Sequence, residues 1–203
     1  MTDTKLSKLF ITGFDKNTVW MKDWFIENFN KHNPNAELKV YNFDINFTNQ
    51  LGWFKKPEAM LAATKLAHKA CWIDLDCEVV GNIEDIFDFT VPNKLGMVED
   101  APWSQRNGTT WHNSGVVCFE DNSLPIINKW RGACVRTNLR GDQEVLHDLM
   151  RDPLTRLTNI ESLPNRYNVL RIQHIDNTVP KNPLVYHWTG IKGKDHIRKL
   201  ING

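Results

Sequence analysis

The chain predicts an α/β fold in which helices flank a mostly parallel central sheet, and three observations carry that expectation. Over the first 76 residues, apolar runs short enough for strands alternate with stretches of helical periodicity. The third apolar run stops abruptly at two carboxylates, Asp74 and Asp76. No linker-like stretch divides the 203 residues, so residues 1–203 are expected to form a single domain.

In order along the chain, Lys8 to Thr12 reads as a first strand closed by Gly13. From Thr18 to His32, Val19, Trp20, Phe25, Ile26 and Phe29 recur at near-helical spacing, as on an amphipathic helix. Residues 37–43 alternate apolar and polar side chains as a second strand would, and residues 44–56 read as a loop. Pro57 suits the first turn of a helix that is expected to run to about Lys69. Ala70 to Leu75 is the third strand. Strand, helix, strand, helix, strand argues for parallel pairing through right-handed crossovers. Further strands are expected at 95–98, 115–119 and 184–186, helices at 125–135 and 142–150, and a polar loop at 99–113.

The composition is that of an ordinary globular protein, 41% apolar and 24% charged. No apolar run reaches the ~20 residues a membrane helix needs. The first residues, Met-Thr-Asp-Thr-Lys-Leu-Ser-Lys, lack a signal peptide's apolar segment, so a cytoplasmic protein is expected. Cys71, Cys77, Cys118 and Cys134 show no Cys-x-x-Cys spacing, and three of them sit in or beside apolar segments, which argues against zinc. Net charge is +1 but uneven: residues 126–203 carry 13 Lys/Arg against 7 Asp/Glu. Among the eight tryptophans, Trp53, Trp103 and Trp111 lie in polar contexts, where an indole can stack on a sugar or a base.

The pair Asp74-Leu75-Asp76 is the centre of the functional reading. A buried strand that ends in Asp-x-Asp presents carboxylate oxygens where the strand leaves the sheet, which is where open α/β sheets bind ligands. Hard oxygen ligands suit Mg²⁺ or Mn²⁺, and such ions commonly bridge a protein to phosphates. Asp-x-Asp also marks the nucleophile of haloacid-dehalogenase phosphatases, with Asp74 in that role. Their motif usually has Thr or Val four residues after the first Asp, where this chain has Glu78, and it usually lies on the first strand.

Three later segments follow in a telling order. Asn113-Ser114-Gly115 precedes an apolar strand, Gly141-Asp142-Gln143 opens a helical stretch, and His187-Trp188-Thr189-Gly190-Ile191-Lys192-Gly193-Lys194 follows the last strand. With Asp74-Leu75-Asp76 ahead of them, these resemble the GT-A glycosyltransferases, a Rossmann-like fold, and especially glycosyltransferase family 8. The resemblance extends from the first strand to Lys194.

It implies that Asp74, Asp76 and His187 hold Mn²⁺ or Mg²⁺, and that the ion holds the diphosphate of a nucleotide-sugar, a UDP-sugar first of all. It implies donor contacts from Asn113, Ser114 and Gly115, with Asp142 and Gln143 at the reacting centre. The family's lysine six residues after the histidine is here Gly193, so Lys192 or Lys194 must replace it, beyond Gly190. Leu163 to Asn168 resembles a further segment that shapes the family's site. Thr12, Gly13, Phe14 and Asp15 are expected at the base and ribose, with Lys56 or Lys65 adding charge toward the phosphates. The family transfers its sugar with retention of anomeric configuration. A non-catalytic nucleotide-sugar-binding domain is the remaining alternative. The acceptor stays open: a saccharide or lipid-linked sugar, a protein side chain, or a hydroxymethylated base in DNA.

Overall fold

The computed structural model describes residues 4–47, 52–137, 139 and 141–203. Strand β1 (Leu6–Phe14) leads through a short 3-10 turn into helix α1 (Lys22–His32) and then strand β2 (Leu38–Asn42). A four-residue helix α2 (Phe43–Asn46) opens the expected loop, of which residues 48–51 lie outside the described residues. Helix α3 (Lys56–Ala63) returns the chain to strand β3 (Ala67–Ile73), and the short strand β4 (Cys77–Val79) follows the carboxylate pair. Beyond it come β5 (Leu95–Glu99), α4 (Ala101–Asn107), β6 (His112–Glu120), α5 (Leu124–Arg136) and α6 (Asp142–Leu149). The chain closes with α7 (Pro153–Asn159), β7 (Ile160–Ser162), β8 (Val169–Leu170), α8 (Arg171–Ile175), β9 (Val185–His187) and α9 (Gly190–Asn202).

Six strands form the central sheet in the order β2-β1-β3-β6-β5-β7. Only β6 runs against the other five, pairing antiparallel with both β3 and β5. Both faces are covered, and the strands show it residue by residue. Leu9, Ile11, Ala70, Trp72, Val117 and Phe119 pack on one side with α3, α5 and α6; Phe10, Cys71, Ile73, Val116 and Cys118 pack on the other with α1 and α9. Period-2 alternation that is apolar on both phases is what a doubly covered strand requires. A second sheet, β4-β9-β8, sits at the edge where β3 ends.

Two expectations about elements need correction. The helix expected to reach Lys69 stops at Ala63, because Ala67 to Lys69 pair with Leu6 to Lys8 and belong to β3. The expected loop at 99–113 holds α4. Asp100 caps that helix by accepting from the Trp103 amide at 3.2 Å, and Pro102 sits in its first turn.

Candidate active site

The carboxylate pair lies where the parallel strands end. The Asp74 amide still donates to the Gly115 carbonyl at 2.8 Å, after which the chain turns, with the Cys77 amide on the Asp74 carbonyl at 3.0 Å. Leu75 between them is buried against the core, and the two partly exposed aspartates line the cleft beside it. Strand β9 pairs antiparallel with β4 so that His187 stands opposite Cys77, one residue from Asp76. A ligand atom from each of Asp74, Asp76 and His187 lies within 4.8 Å of the others.

His187 is oriented from behind. Its Nδ1 is 3.0 Å from Asn113 Oδ1 and 3.2 Å from Asn168 Oδ1, and because amide oxygens only accept, Nδ1 carries a proton. Nε2 therefore turns toward Asp76 Oδ1 at 3.2 Å and Asp74 Oδ2 at 3.8 Å. Burial alone would lower the imidazole's pKa, but Asp76 and Asp74 raise it above its ordinary value. Burial raises the Asp74 pKa with Lys56 opposing, whereas His187 pulls that of Asp76 down against its burial. An imidazole nitrogen within hydrogen-bond reach of one carboxylate and close to a second is a site that a divalent cation can take over in the proton's place, with the other nitrogen already held by amide oxygens as ligating histidines usually are. The donor set, two hard oxygens and an imidazole, fits Mn²⁺ or Mg²⁺.

Beside this cluster lies a buried cation. Lys56, at the start of α3, is 2% exposed. Its Nζ is 3.0 Å from Asp74 Oδ1, 2.8 Å from Asp142 Oδ2 and 2.9 Å from the Ser114 carbonyl. Burial disfavours its charge, yet Asp142 and Asp74 raise its pKa above the usual lysine value. Trp72 Nε1 donates to Asp74 Oδ1 at 2.6 Å and fixes the carboxylate further. Asp142 begins α6, whose first turn is anchored by Trp130 Nε1 on the Asp142 carbonyl at 3.0 Å. Ser114 Oγ donates to Asp142 Oδ2 at 2.9 Å. The neighbouring Gln143 accepts from the Ser114 amide at 3.3 Å and donates to Asp100 Oδ2 at 3.4 Å.

The structure thus brings together Asp74, Asp76, His187, Lys56, Asn113, Ser114, Gly115, Asp142 and Gln143. Of these, Lys56, Asp74, Asp76 and Asp142 line a cleft of about 250 Å³ that runs past Gly13, Asp15, Phe43 and Trp53, while Asn113, Ser114, Gly115, Gln143 and His187 are not on its wall. Asp15 faces it, although its Oδ1 is already held by the amides of Asn17 and Thr18 at 2.9 and 3.0 Å. Lys194 lines the same cleft and Lys192 does not. Between them, at Gly193, a side chain would fall on the Trp188 backbone, so α9 approaches that segment through a glycine.

Four expected positions are elsewhere or differently used. Lys65 borders a hollow with Thr4 and Lys5, where β1 begins, at the opposite end of the sheet. The Phe14 ring packs with the α1 side of the core under the Lys22 ammonium and does not line the cleft; Phe43 and Trp53 do. Thr12 is fully buried, its Oγ1 without a hydrogen-bond partner, and is likewise absent from the cleft wall. Gly190 opens α9 on the far side of Gln143, in a second concavity. The sequence reading missed Asp100, although Asp-x-Pro is a helix-start signal that would have located it.

No protein-family model matches the chain, and no curated protein matches it in sequence. Solved structures do. GlyE, a glycosyltransferase of Streptococcus pneumoniae, superposes with a TM-score of 0.63 at 18% identity, covering 91% of this chain and 55% of GlyE. A glycosyltransferase involved in the glycosylation of the major capsid of PBCV-1 gives a TM-score of 0.68 at 14% identity, over 97% of this chain and 100% of that one. The galactosyltransferase LgtC, in complex with donor and acceptor sugar analogues, gives 0.63 at 12% identity over 96% and 95%. The chain spans about half the length of GlyE and all of the PBCV-1 protein. At such identities the shared property is the fold, and the fold is GT-A, as the sequence predicts.

Proposed function

We propose that this protein is a metal-dependent glycosyltransferase. It moves a sugar from a nucleotide-diphosphate donor, a UDP-sugar first of all, to an acceptor hydroxyl with retention of anomeric configuration. Residues 1–203 serve as one catalytic domain. The observation that carries this is the convergence of Asp74, Asp76 and His187 within 4.8 Å at the end of a central strand. The likeness in fold to enzymes whose names describe sugar transfer supports it.

Asp74, Asp76 and His187 hold Mn²⁺ or Mg²⁺, which when bound acts as a Lewis acid toward the departing diphosphate. The protein's own groups do the rest. Lys194 reaches the same cleft and supplies a mobile positive charge to the phosphates, the part expected of Lys192 or Lys194. Lys56 keeps Asp74 and Asp142 in fixed positions and offsets their mutual repulsion. The Asp142 carboxylate, held by Lys56 and Ser114, faces the centre where positive charge develops on the sugar ring. Gln143, held at both ends of its amide, sets the side from which the acceptor hydroxyl arrives. Phe43 and Trp53 offer apolar faces to the base.

Thermal unfolding against a panel of nucleoside diphosphates and their sugars, each with and without Mn²⁺, tests the reading. A ligand at 100 times its Kd contributes about 2.7 kcal/mol, or roughly 5–10 °C for a domain of this size. The expected result is a shift with UDP that requires the metal and is lost in Asp76→Asn. Equal melting in Mn²⁺ and in chelator, for every nucleotide tried, would sink it.

A further inference from the structure

Beyond Gln143, on the side away from the nucleotide cleft, lies a second concavity of about 370 Å³. Its wall includes Asn113 and Gln143, so whatever occupies it reaches the reacting centre. One side is the indole of Trp103, half exposed and held at the start of α4 by the Asp100 cap. One turn further along α4, Arg106 reaches the same space, with its guanidinium 3.7 Å from Asp176, beyond hydrogen-bond length. Facing them from α8 is Arg171, whose Nε donates to the Thr189 carbonyl at 3.2 Å. That bond aims the guanidinium, and among the described residues no carboxylate pairs with it. Glu144 is also on the wall, but its carboxylate folds back over Gly141 at the start of α6. Asp100 is buried and already accepts from the Trp103 amide, Asn113 and Gln143.

A flat apolar ring beside fixed planar donors is the chemistry that binds a sugar: the indole takes the C–H face of the pyranose, and the guanidinium forks bind oxygens in pairs. Two guanidinium groups, one loosely paired and one without an acidic partner among the described residues, select an oxyanion over a hydroxyl. We propose that this concavity binds an acceptor saccharide carrying an anionic group, a carboxylate or a phosphate ester, with its ring on Trp103 and its anion at Arg171 and Arg106. The assignment as acceptor rests on the donor reading above; the binding chemistry does not. Of the acceptors that the sequence leaves open it favours a saccharide, because the two cations on this wall, Arg106 and Arg171, fit one anionic group and a chain of net charge +1 lacks the strong basic excess of an extended nucleic-acid surface.

Saturation-transfer NMR and titration with methyl β-glucuronide, glucose 6-phosphate and neutral methyl β-glucoside provide the test, in the presence and absence of UDP with Mn²⁺. Both anionic probes are expected to bind at least tenfold more tightly than the glucoside. The tighter of the two identifies the anion as carboxylate or phosphate. Arg171→Gln should erase the preference while leaving the UDP response unchanged, and Trp103→Ala should weaken all three sugars. Equal binding of neutral and anionic sugars overturns the anion assignment. If no sugar binds while UDP with Mn²⁺ still raises the melting temperature, the pocket assignment falls and the donor reading stands. If the glucuronide binds through Arg171 but no nucleotide does, the pocket stands and the donor reading falls.

Discussion

A methyl group on Gly115 would occupy the space of the His187 imidazole, so the absence of a side chain there is a condition for the ring's position. Gly115→Ala should push the ring off Asn113 and Asn168 and weaken Mn²⁺ binding about 10–100-fold, the usual cost of losing a ligand's support. Isothermal titration with Mn²⁺ reads this directly, and an unchanged Kd would remove His187 from the site. Lys56 makes a different prediction. Lys56→Met leaves the buried Asp142 and the partly buried Asp74 without their cation and should lower stability by about 3 kcal/mol, measured as a shift in urea midpoint at neutral pH. The gap between variant and wild type should narrow in acid, where protonation relieves the unpaired carboxylates. At this scale the order of the motifs made legible that Asp74, Asp76 and His187 converge and that Asp142 and Gln143 lie beside them. What was not legible was direction. Lys56 and Lys65 look alike on a helix, and only the registry of α3 against β3 and β6 sends one inward to Asp74 and leaves the other at the far end of the sheet.

Among the elements, the strands were the most readable, because β1, β3 and β6 are apolar on both phases over enough residues to exclude an exposed face. The strands β4, β7 and β8, of two or three residues each, carry no periodic signal and exist through their pairing alone. Helix α4 was missed for a related reason: Ala-Pro-Trp-Ser-Gln-Arg-Asn has no apolar stripe, and its start depends on a single cap. That cap joins the two halves of the site, since Asp100 holds the α4 amide with one oxygen and Asn113 and Gln143 with the other. Asp100→Ala should cost about 1 kcal/mol as a lost cap, visible as faster hydrogen exchange at the Trp103 and Ser104 amides. It should lower kcat more than KM for the donor, because the Gln143 amide loses its anchor. Exchange unchanged at those amides would mean that Pro102 and packing alone hold the helix.

Over the whole molecule, stability should fall in mild acid through a group outside the site. Burial lowers the pKa of His112, at the start of β6, to about 4; Arg156 and His147 add to the effect and Glu99 opposes it. The unfolded chain, with a histidine near 6.5, then binds the extra proton first. Stability is therefore complete above about pH 6.5 and is lost as pH falls toward 4, by at most about 3 kcal/mol. His112→Asn should flatten that part of the urea-midpoint profile, and a parallel profile would assign the loss to other groups. The reversed strand β6 has a consequence of another kind. Because it runs against its neighbours, its first residues meet the last residues of β3, and β9 arrives later to complete the cluster. During synthesis at 5–20 residues per second, Asp74 and Asp76 emerge roughly ten seconds before His187. Throughout that interval the nascent chain offers two carboxylates without their imidazole, and the three-residue cluster is complete only when β9 docks.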